Sequence, residues 1–382
     1  MQSQSNIYDF AVVGLGAVGS SALYHLSLSG AKVLGLDRFD PPHTMGSSHG
    51  ETRITRLAVG EGEDYVDLAK RSQRIWRNIE KESDSSFFFP CGGILMDSGK
   101  VPWDKHGSQG FMERTVSFAK KANISHRKFT QADVQESYPN FNLEESGKAY
   151  FENQAGYVFP EKCIKSFLDL SKANLAEINT HEAVLSISES KGLNLIKSNK
   201  GEYFAKKVLI SAGGWIKDFL PDSRKSDFKI CRQILHWIEV EPDFSWETYP
   251  VFMWGFGPKA EDFIYGFPSL DGKSIKVATE SFVDVVHPDK INREVSPEEQ
   301  REFWEGKVLG RLRGLTGKFS KSEVCFYTVT NDSRFVIQDL PDSLNGLWVS
   351  ACSGHGFKHS AALGEQLAEK LMEVPLTLAE IR

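Results

Sequence analysis

Apolar and polar positions change period twice in the opening segment. Residues 8–14 (YDFAVVG) are a short β-branched run closed by glycine, the pattern of a buried strand. Leu23, Leu26 and Val18 then share one side of a helix over 17–29, Gly30 ends it, and residues 32–37 (KVLGLD) return to a strand. Strand, glycine turn, helix and strand make a βαβ unit, which implies a parallel sheet buried on both faces. The polar, Gly- and His-rich stretch 41–62 is too long for a plain connector, and such loops in compact domains are usually functional. Leu68, Ser72, Ile75, Trp76 and Ile79 fall at i, i+4, i+7, i+8 and i+11 and predict a long amphipathic helix.

Pro160 opens another helix, with Ile164, Phe167, Leu168 and Leu170 apolar. Alternating segments 184–187, 193–196 and 203–205, set apart by Lys-Gly turns, predict a three-stranded meander. Residues 207–211 resume a buried-strand pattern and end in Ala212-Gly213-Gly214-Trp215. From about 230 to 325 the character changes: aromatic-rich strands at 234–239, 263–267 and 274–279 read as antiparallel, followed by a helical stretch over 296–312. Residues 346–350 are again a short buried strand and 360–372 a helix, so the C-terminal segment is expected to rejoin the first domain.

Composition narrows the picture. A chain of 382 residues points to two domains, and 40% hydrophobic with 25% charged residues is ordinary globular content. A net charge of −6 argues against a nucleic-acid backbone as main partner. Most of the 26 Phe are expected in packed core. The five cysteines (Cys91, Cys163, Cys231, Cys325, Cys352) are scattered without a C-x-x-C pair, which indicates neither a metal site nor a disulfide framework. The polar N-terminus reads as neither signal peptide nor membrane span, so a soluble, cytoplasmic protein is expected.

The first chemistry lies in the glycine turn. Gly14, Gly16 and Gly19 form G-x-G-x-x-G between a strand and a helix. The first glycine permits the tight turn, the second lets backbone approach a pyrophosphate, and the third lets helix and strand pack closely. Asp37 closes the second strand, where a carboxylate accepts hydrogen bonds from a ribose hydroxyl and disfavours a 2′-phosphate. The fingerprint alone leaves NAD and FAD both open.

The stretch Asp40-Pro41-Pro42-His43-Thr44 with Gly46-Ser47-Ser48-His49-Gly50-Glu51-Thr52-Arg53-Ile54-Thr55-Arg56 closely resembles the sarcosine oxidase and N-methyltryptophan oxidase family, FAD-dependent amine oxidases of the D-amino-acid-oxidase-like superfamily. Tyr265-Gly266-Phe267-Pro268 with Lys276, Cys325-Phe326-Tyr327-Thr328, and Ser353-Gly354-His355-Gly356-Phe357-Lys358 agree in the same order. The resemblance implies a Rossmann-like FAD-binding domain (1–90, 150–229 and 325–382) interleaved with a mixed-sheet substrate-binding domain (91–149 and 230–324), an α/β plus antiparallel-β fold. It also implies FAD attached at its 8α-methyl through the sulfur of Cys325. Thiolate chemistry suits that bond, although by type alone a free cysteine is more often a buried small hydrophobe.

Arg56 and Lys358 match the pair that holds the substrate carboxylate, and Lys276 matches the lysine that assists O₂ reduction by fixed charge. His49 and Arg53 match groups near the flavin ring, and Tyr265 and Tyr327 match pocket aromatics. Further cofactor contacts are expected from Ala17, Val18, Arg38, Ser47, Val184, Gly213, Trp215, Gly354, Gly356 and Phe357, beside Gly14, Gly16, Gly19, Asp37 and Lys358. Two positions depart from the family: Glu280 stands where sarcosine oxidases have histidine, and Val59 where they have tyrosine. Both are substrate-side positions, so the substrate need not be sarcosine.

The activity implied is oxidation of the C–N bond of a secondary, N-methylated amino acid to an imine, with O₂ reduced to H₂O₂, by a monomer without membrane or nucleic-acid partner. A cyclic imino acid such as proline or pipecolate, or a fructosyl amine, stands as alternative substrate, and a dehydrogenase using another acceptor as alternative activity. A non-enzymatic nucleotide sensor is the reading from a different class.

Overall fold

In the computed structural model, which describes residues 7–100, 103–105, 110–259, 261–341 and 345–373, the opening βαβ unit forms as expected. Ile7–Val13 runs parallel to both Val33–Leu36 and Glu202–Ile210, with Ala17–Ser27 as the crossover helix. All of Val33–Leu36 is buried, as a parallel strand covered on both faces must be. Glu177–Asn179 extends this sheet beyond Val33–Leu36, also in parallel.

The meander is present as Val184–Ser190, Leu193–Ser198 and Glu202–Ile210. Its third member and the buried run read separately at 207–211 are one strand. The first half of that strand pairs antiparallel with Leu193–Ser198, and its second half pairs parallel with Gly346–Ser350. A long strand changes neighbour in this way when two short strands occupy successive stretches of one edge. The C-terminal strand thereby joins the sheet that the N-terminus began.

A second sheet of eight strands runs in the order Leu315–Thr330, Phe228–Val240, Ser274–Ala278, Phe263–Gly266, Val251–Gly255, Gly93–Asp97, Lys148–Glu152 and Arg127–Thr130. Neighbours are antiparallel except Val251–Gly255 with Gly93–Asp97, which makes the sheet mixed. The expected α/β plus antiparallel-β class is therefore the one observed. Residues 230 and 325 fall inside strands of this second sheet.

The helical stretch expected over 296–312 is shorter. Ser296 and Glu299 cap Pro297–Phe303 reciprocally, the Ser296 hydroxyl accepting from Glu299 N at 3.2 Å and the Glu299 carboxylate accepting from Ser296 N at 2.9 Å. The chain then widens into a π-turn over Trp304–Val308, where Gly306 weakens the α-helix, and leaves helical geometry at Leu309.

Four helices, Ala17–Ser27, Tyr65–Ser83, Pro160–Ala173 and Ser360–Leu371, pack on one another beside the first sheet. Ser360–Leu371 lies on Ala17–Ser27, with Ser21 Oγ donating to Ala361 O at 2.8 Å. Tyr65–Ser83 packs beside them, and Ser72, the polar member of its buried stripe, accepts from Ala362 N at 3.0 Å. Among the described residues no helix is long and apolar enough to cross a membrane.

Gly364 sets how closely the C-terminal helix approaches the first: a Cβ there would lie 2.6 Å from Ser21 Cβ and 2.7 Å from Ala22 N. Gly364→Ala is expected to destabilise by about 1–3 kcal/mol through overpacking. Gly306→Ala, where nothing stands within 4 Å of the new Cβ, is expected to stay within about 0.5 kcal/mol of the parent. Urea unfolding of the two variants checks the contrast.

Candidate active site

The strand ends, the glycine turn and the loop over 41–62 enclose a cavity of about 750 Å³. Gly14 turns the chain at φ +88, where a Cβ would meet Ser211 O at 2.6 Å, and a Cβ on Gly19 would fall 1.8 Å from Gly14 O. These two glycines therefore serve backbone packing, and Gly19 does not line the cavity. Gly16 differs: nothing lies within 4 Å of a Cβ there, and it caps Ala17–Ser27 without a side-chain hydrogen bond. Its helix N-terminus, with Ala17 and Val18, opens onto the cavity, an arrangement suited to a pyrophosphate. Asp37 is buried at the same end; one carboxylate oxygen accepts from Leu15 N at 2.7 Å and the other from Phe39 N at 2.8 Å. Arg38, Val184, Gly213 and Trp215 line the wall beyond it.

At the other end the loop carries Ser47 and Arg53 to the cavity. Arg53 begins the short strand Arg53–Thr55, paired with Gly156–Val158, and donates to Thr52 O at 2.8 Å and Ser47 O at 2.7 Å. Ser47, Arg53, Tyr265, Tyr327, Gly354, Gly356 and Phe357 all face the cavity. Tyr265 and Tyr327 hydroxyls lie 3.4 Å apart, and burial pushes both phenols up, so both remain protonated donors.

His49, Lys276 and Cys325 do not line the cavity. His49 is 2% exposed with both ring nitrogens lacking a protein partner, and burial with the Arg53 charge pushes it down to about 3. Lys276 is equally enclosed, in a strand where Ile275 and Val277 are buried too, so the face is not solvated. Its ammonium donates to Gly50 O at 2.5 Å, Thr52 O at 2.7 Å and Thr52 Oγ1 at 2.9 Å, which uses all three of its protons. Burial and the neighbouring Arg53 hold it well below the usual lysine range. Burial raises the Cys325 thiol, against the pull of Arg53 and Lys276.

Arg56 and Lys358 meet a resident carboxylate that sequence reasoning missed. Arg56 follows the Arg53–Thr55 strand, and its position is fixed by Glu152, which accepts from Leu57 N at 2.7 Å and Ala58 N at 3.1 Å. One Arg56 terminal nitrogen donates to both oxygens of Glu61, at 3.0 and 2.8 Å, and the other to Ala58 O. Its Nε is buried without a partner. Lys358, in the short turn Phe357–His359, donates to His355 O at 2.8 Å and lies 3.7 Å from Glu61 Oε1. Burial works against the Glu61 charge, but Arg56 and Lys358 outweigh it and keep the carboxyl well below its usual range. Burial pushes Lys358 down to about 7, with Glu61 opposing.

Glu280 is also in the wall, ion-paired with Lys105 at 2.6 Å. Glu61 had a visible signal, a lone carboxylate between glycines five residues after Arg56. Lys105 had none. Val59 is fully buried and does not line the cavity.

A bare helix N-terminus and an open approach at Gly16, with the buried carboxylate of Asp37 at the same end of the cavity, fit the pyrophosphate and ribose of a dinucleotide. The fold and this site define a nucleotide-dependent oxidoreductase. The model of the family described as FAD dependent oxidoreductase (DAO) matches residues 9–370, and the chain belongs to that family.

Monomeric sarcosine oxidase of Bacillus sp. (strain NS-129) is 35% identical over 373 residues, covering 96% of this chain and 93% of that protein. N-methyl-L-tryptophan oxidase of Citrobacter koseri is 29% identical, covering 95% and 94%. In fold the chain is similar to NikD, an unusual amino acid oxidase essential for nikkomycin biosynthesis, with a TM-score of 0.83 at 16% identity over 98% of this chain and 96% of that one. The family expected from the H-G-x-T-R and S-G-H-G-F-K segments is thus the one found.

Removing the Glu61 charge leaves Arg56 and Lys358 buried without their counter-ion. Glu61→Gln is expected to cost about 3–5 kcal/mol of stability at neutral pH, read by chemical denaturation. A change below about 1 kcal/mol would mean that solvent screens the cluster.

Proposed function

We propose that this chain oxidises the C–N bond of secondary, N-methylated amino acids, with O₂ as acceptor and H₂O₂ as product, and that it holds FAD covalently through Cys325. The observation that carries the reading is the convergence of two buried cations, Arg56 and Lys358, on a carboxylate inside the cavity that the glycine turn opens. Glu61, a carboxylate between the same two cations, supports the reading that they take an amino-acid carboxylate. The unpartnered Arg56 Nε and the remaining Lys358 protons leave capacity for a second carboxylate.

FAD, when bound, supplies the redox chemistry, taking two electrons from the C–N unit and passing them to O₂. Gly16, Ala17 and Val18 would hold its pyrophosphate, Asp37 its ribose, and Ser47, His49, Arg53 and Gly354 its ring end. Arg56 and Lys358 orient the substrate through its carboxylate, and such positioning can lower a barrier by about 7–11 kcal/mol at best. Tyr265 and Tyr327, kept protonated, border the reacting centre and exclude water. Lys276 would act on O₂ through whatever charge its three acceptors, Gly50 O, Thr52 O and Thr52 Oγ1, hold in place against the downward pull of burial and Arg53.

The division into an FAD-binding part (1–90, 150–229, 325–382) and a substrate-binding part (91–149, 230–324) follows the two eight-stranded sheets only in outline, because its cuts at 150, 230 and 325 fall within Lys148–Glu152, Phe228–Val240 and Leu315–Thr330 of the second sheet. Five free cysteines fit a cytoplasmic monomer in a reducing compartment.

Peroxide release across a panel of N-methyl and cyclic amino acids tests the reaction. Turnover with an artificial dye but not with O₂ would replace the oxidase by a dehydrogenase. Acid-precipitated protein is expected to keep its flavin absorbance, and Cys325→Ser to release it; a colourless precipitate from the parent removes the covalent bond.

The clamp also predicts a pH dependence. Lys358 is charged below about 7 and loses its proton above, so KM should climb as pH rises through that value, while kcat climbs because the substrate amine must be unprotonated. Lys358→Met is expected to raise KM about 10- to 100-fold at low pH, the worth of a charged hydrogen bond, and to flatten its pH dependence. An unchanged KM profile would remove Lys358 from the clamp.

A further inference from the structure

Lys105 and Glu280 form a second buried ion pair in the cavity wall. Their side chains are 3% and 2% exposed, and Nζ to Oε2 is 2.6 Å. The lysine ammonium also rests 4.3 Å from the centre of the Phe263 ring. Glu280 follows the Ser274–Ala278 strand, whereas Lys105 comes from a segment 175 residues earlier. Tyr265, Tyr327, Glu61 and Lys358 line the same cavity.

The pair is not part of the carboxylate clamp, in which Arg56 and Lys358 both face Glu61 without help from Lys105 or Glu280. Nor is it a cheap way to build a wall. Desolvating two charges costs several kcal/mol per ion, and apolar residues of like volume often serve stability as well or better. An ammonium carries three donors, and among the described residues Lys105 Nζ gives a hydrogen bond only to Glu280. The unspent donors of a buried cation border the space that the substrate must enter.

We propose that the Lys105–Glu280 pair determines substrate specificity, recognising in the part of the substrate beyond its carboxylate an uncharged group that both donates and accepts hydrogen bonds, a hydroxyl or a carboxamide. The inference rests on the amino-acid oxidase reading above and deepens it. A second carboxylate would sit beside Glu280 and repel it in a dry site, and a cationic side chain would meet Lys105 in the same way. An apolar side chain would leave the lysine donors without acceptors, the situation that binding sites reject most strongly. A hydroxyl or amide accepts from Lys105 and donates to Glu280 with no added charge.

Binding without turnover gives the first readout. Amine-free ω-hydroxy carboxylates and their isosteres with methyl in place of hydroxyl, such as 4-hydroxybutanoate against pentanoate, are titrated into the holoenzyme by calorimetry. The hydroxylated member of the best-fitting pair is expected to bind about tenfold tighter or more. The second readout is kcat/KM for N-methyl-L-homoserine and N-methyl-L-glutamine against N-methyl-L-norvaline, with the polar pair favoured.

Single variants leave a buried charge unpaired and risk misfolding, so the comparison uses Lys105→Met/Glu280→Leu, which removes both charges. Its preference is expected to reverse toward the apolar member in both assays. The proposal is overturned if the parent binds apolar members as tightly, if acidic or basic side chains win, or if the double variant keeps the polar preference. If the double variant fails to hold flavin, the parent series alone decides. A hydroxyl preference in calorimetry without oxidation of any N-methyl amino acid would leave the pair's role intact and sink the oxidase reading instead.

Discussion

Three cations, Arg56, Lys105 and Lys358, share one cavity with two carboxylates, Glu61 and Glu280, all nearly shut off from solvent. Charges in so dry a place interact far more strongly than at a surface, and each must find a partner at hydrogen-bond distance or lose its charge. That demand explains much of the surrounding detail. Glu152 is spent on two backbone amides to hold the segment after Arg56 in place. Lys358 is anchored to a carbonyl of its own turn. Glu61 answers Arg56 and Lys358 together, and Glu280 answers Lys105.

The scaffold that delivers these groups is built from segments far apart in the chain. The glycine turn and the 41–62 loop come from the N-terminus, and the Lys358 turn from the C-terminus. The wall with Tyr265 and Tyr327 comes from the Phe228–Val240 and Leu315–Thr330 ribbon and its neighbours. The first and last parts are locked together by helix contact at Ser21 and Gly364 and by the parallel pairing of Gly346–Ser350 with Glu202–Ile210. The cavity therefore lies where two sheets and a helix layer meet, which is a common place for ligand sites in α/β proteins.

Lys276 and Cys325 show what enclosure does to familiar residue types. By residue type and strand alternation, Lys276 could have been a solvated lysine, but all of Ser274–Ala278 is buried and its three protons are committed to the loop that carries Arg53. Cys325 is buried and raised toward the neutral thiol, yet two cations nearby pull against that shift. Reactivity at such a sulfur is governed by its surroundings.

The chain by itself determined most of the local structure. The βαβ unit, the meander, the Tyr65–Ser83 and Pro160–Ala173 helices and the return to strand and helix at the C-terminus follow from periodicity, glycine and proline placement. The glycine fingerprint and Asp37 marked one end of the site, and the motif resemblance marked Arg53, Arg56, Tyr265, Tyr327 and Lys358 on the other. Periodicity did not resolve strands such as Gly93–Asp97 and Lys148–Glu152, short members of a mixed sheet whose burial depends on partners distant in sequence. Only the tertiary structure set Glu61 against Arg56 and Lys358, and Lys105 against Glu280. A charge pair of that kind has no period and no fixed spacing: it exists because folding removes water from between residues that the chain holds apart.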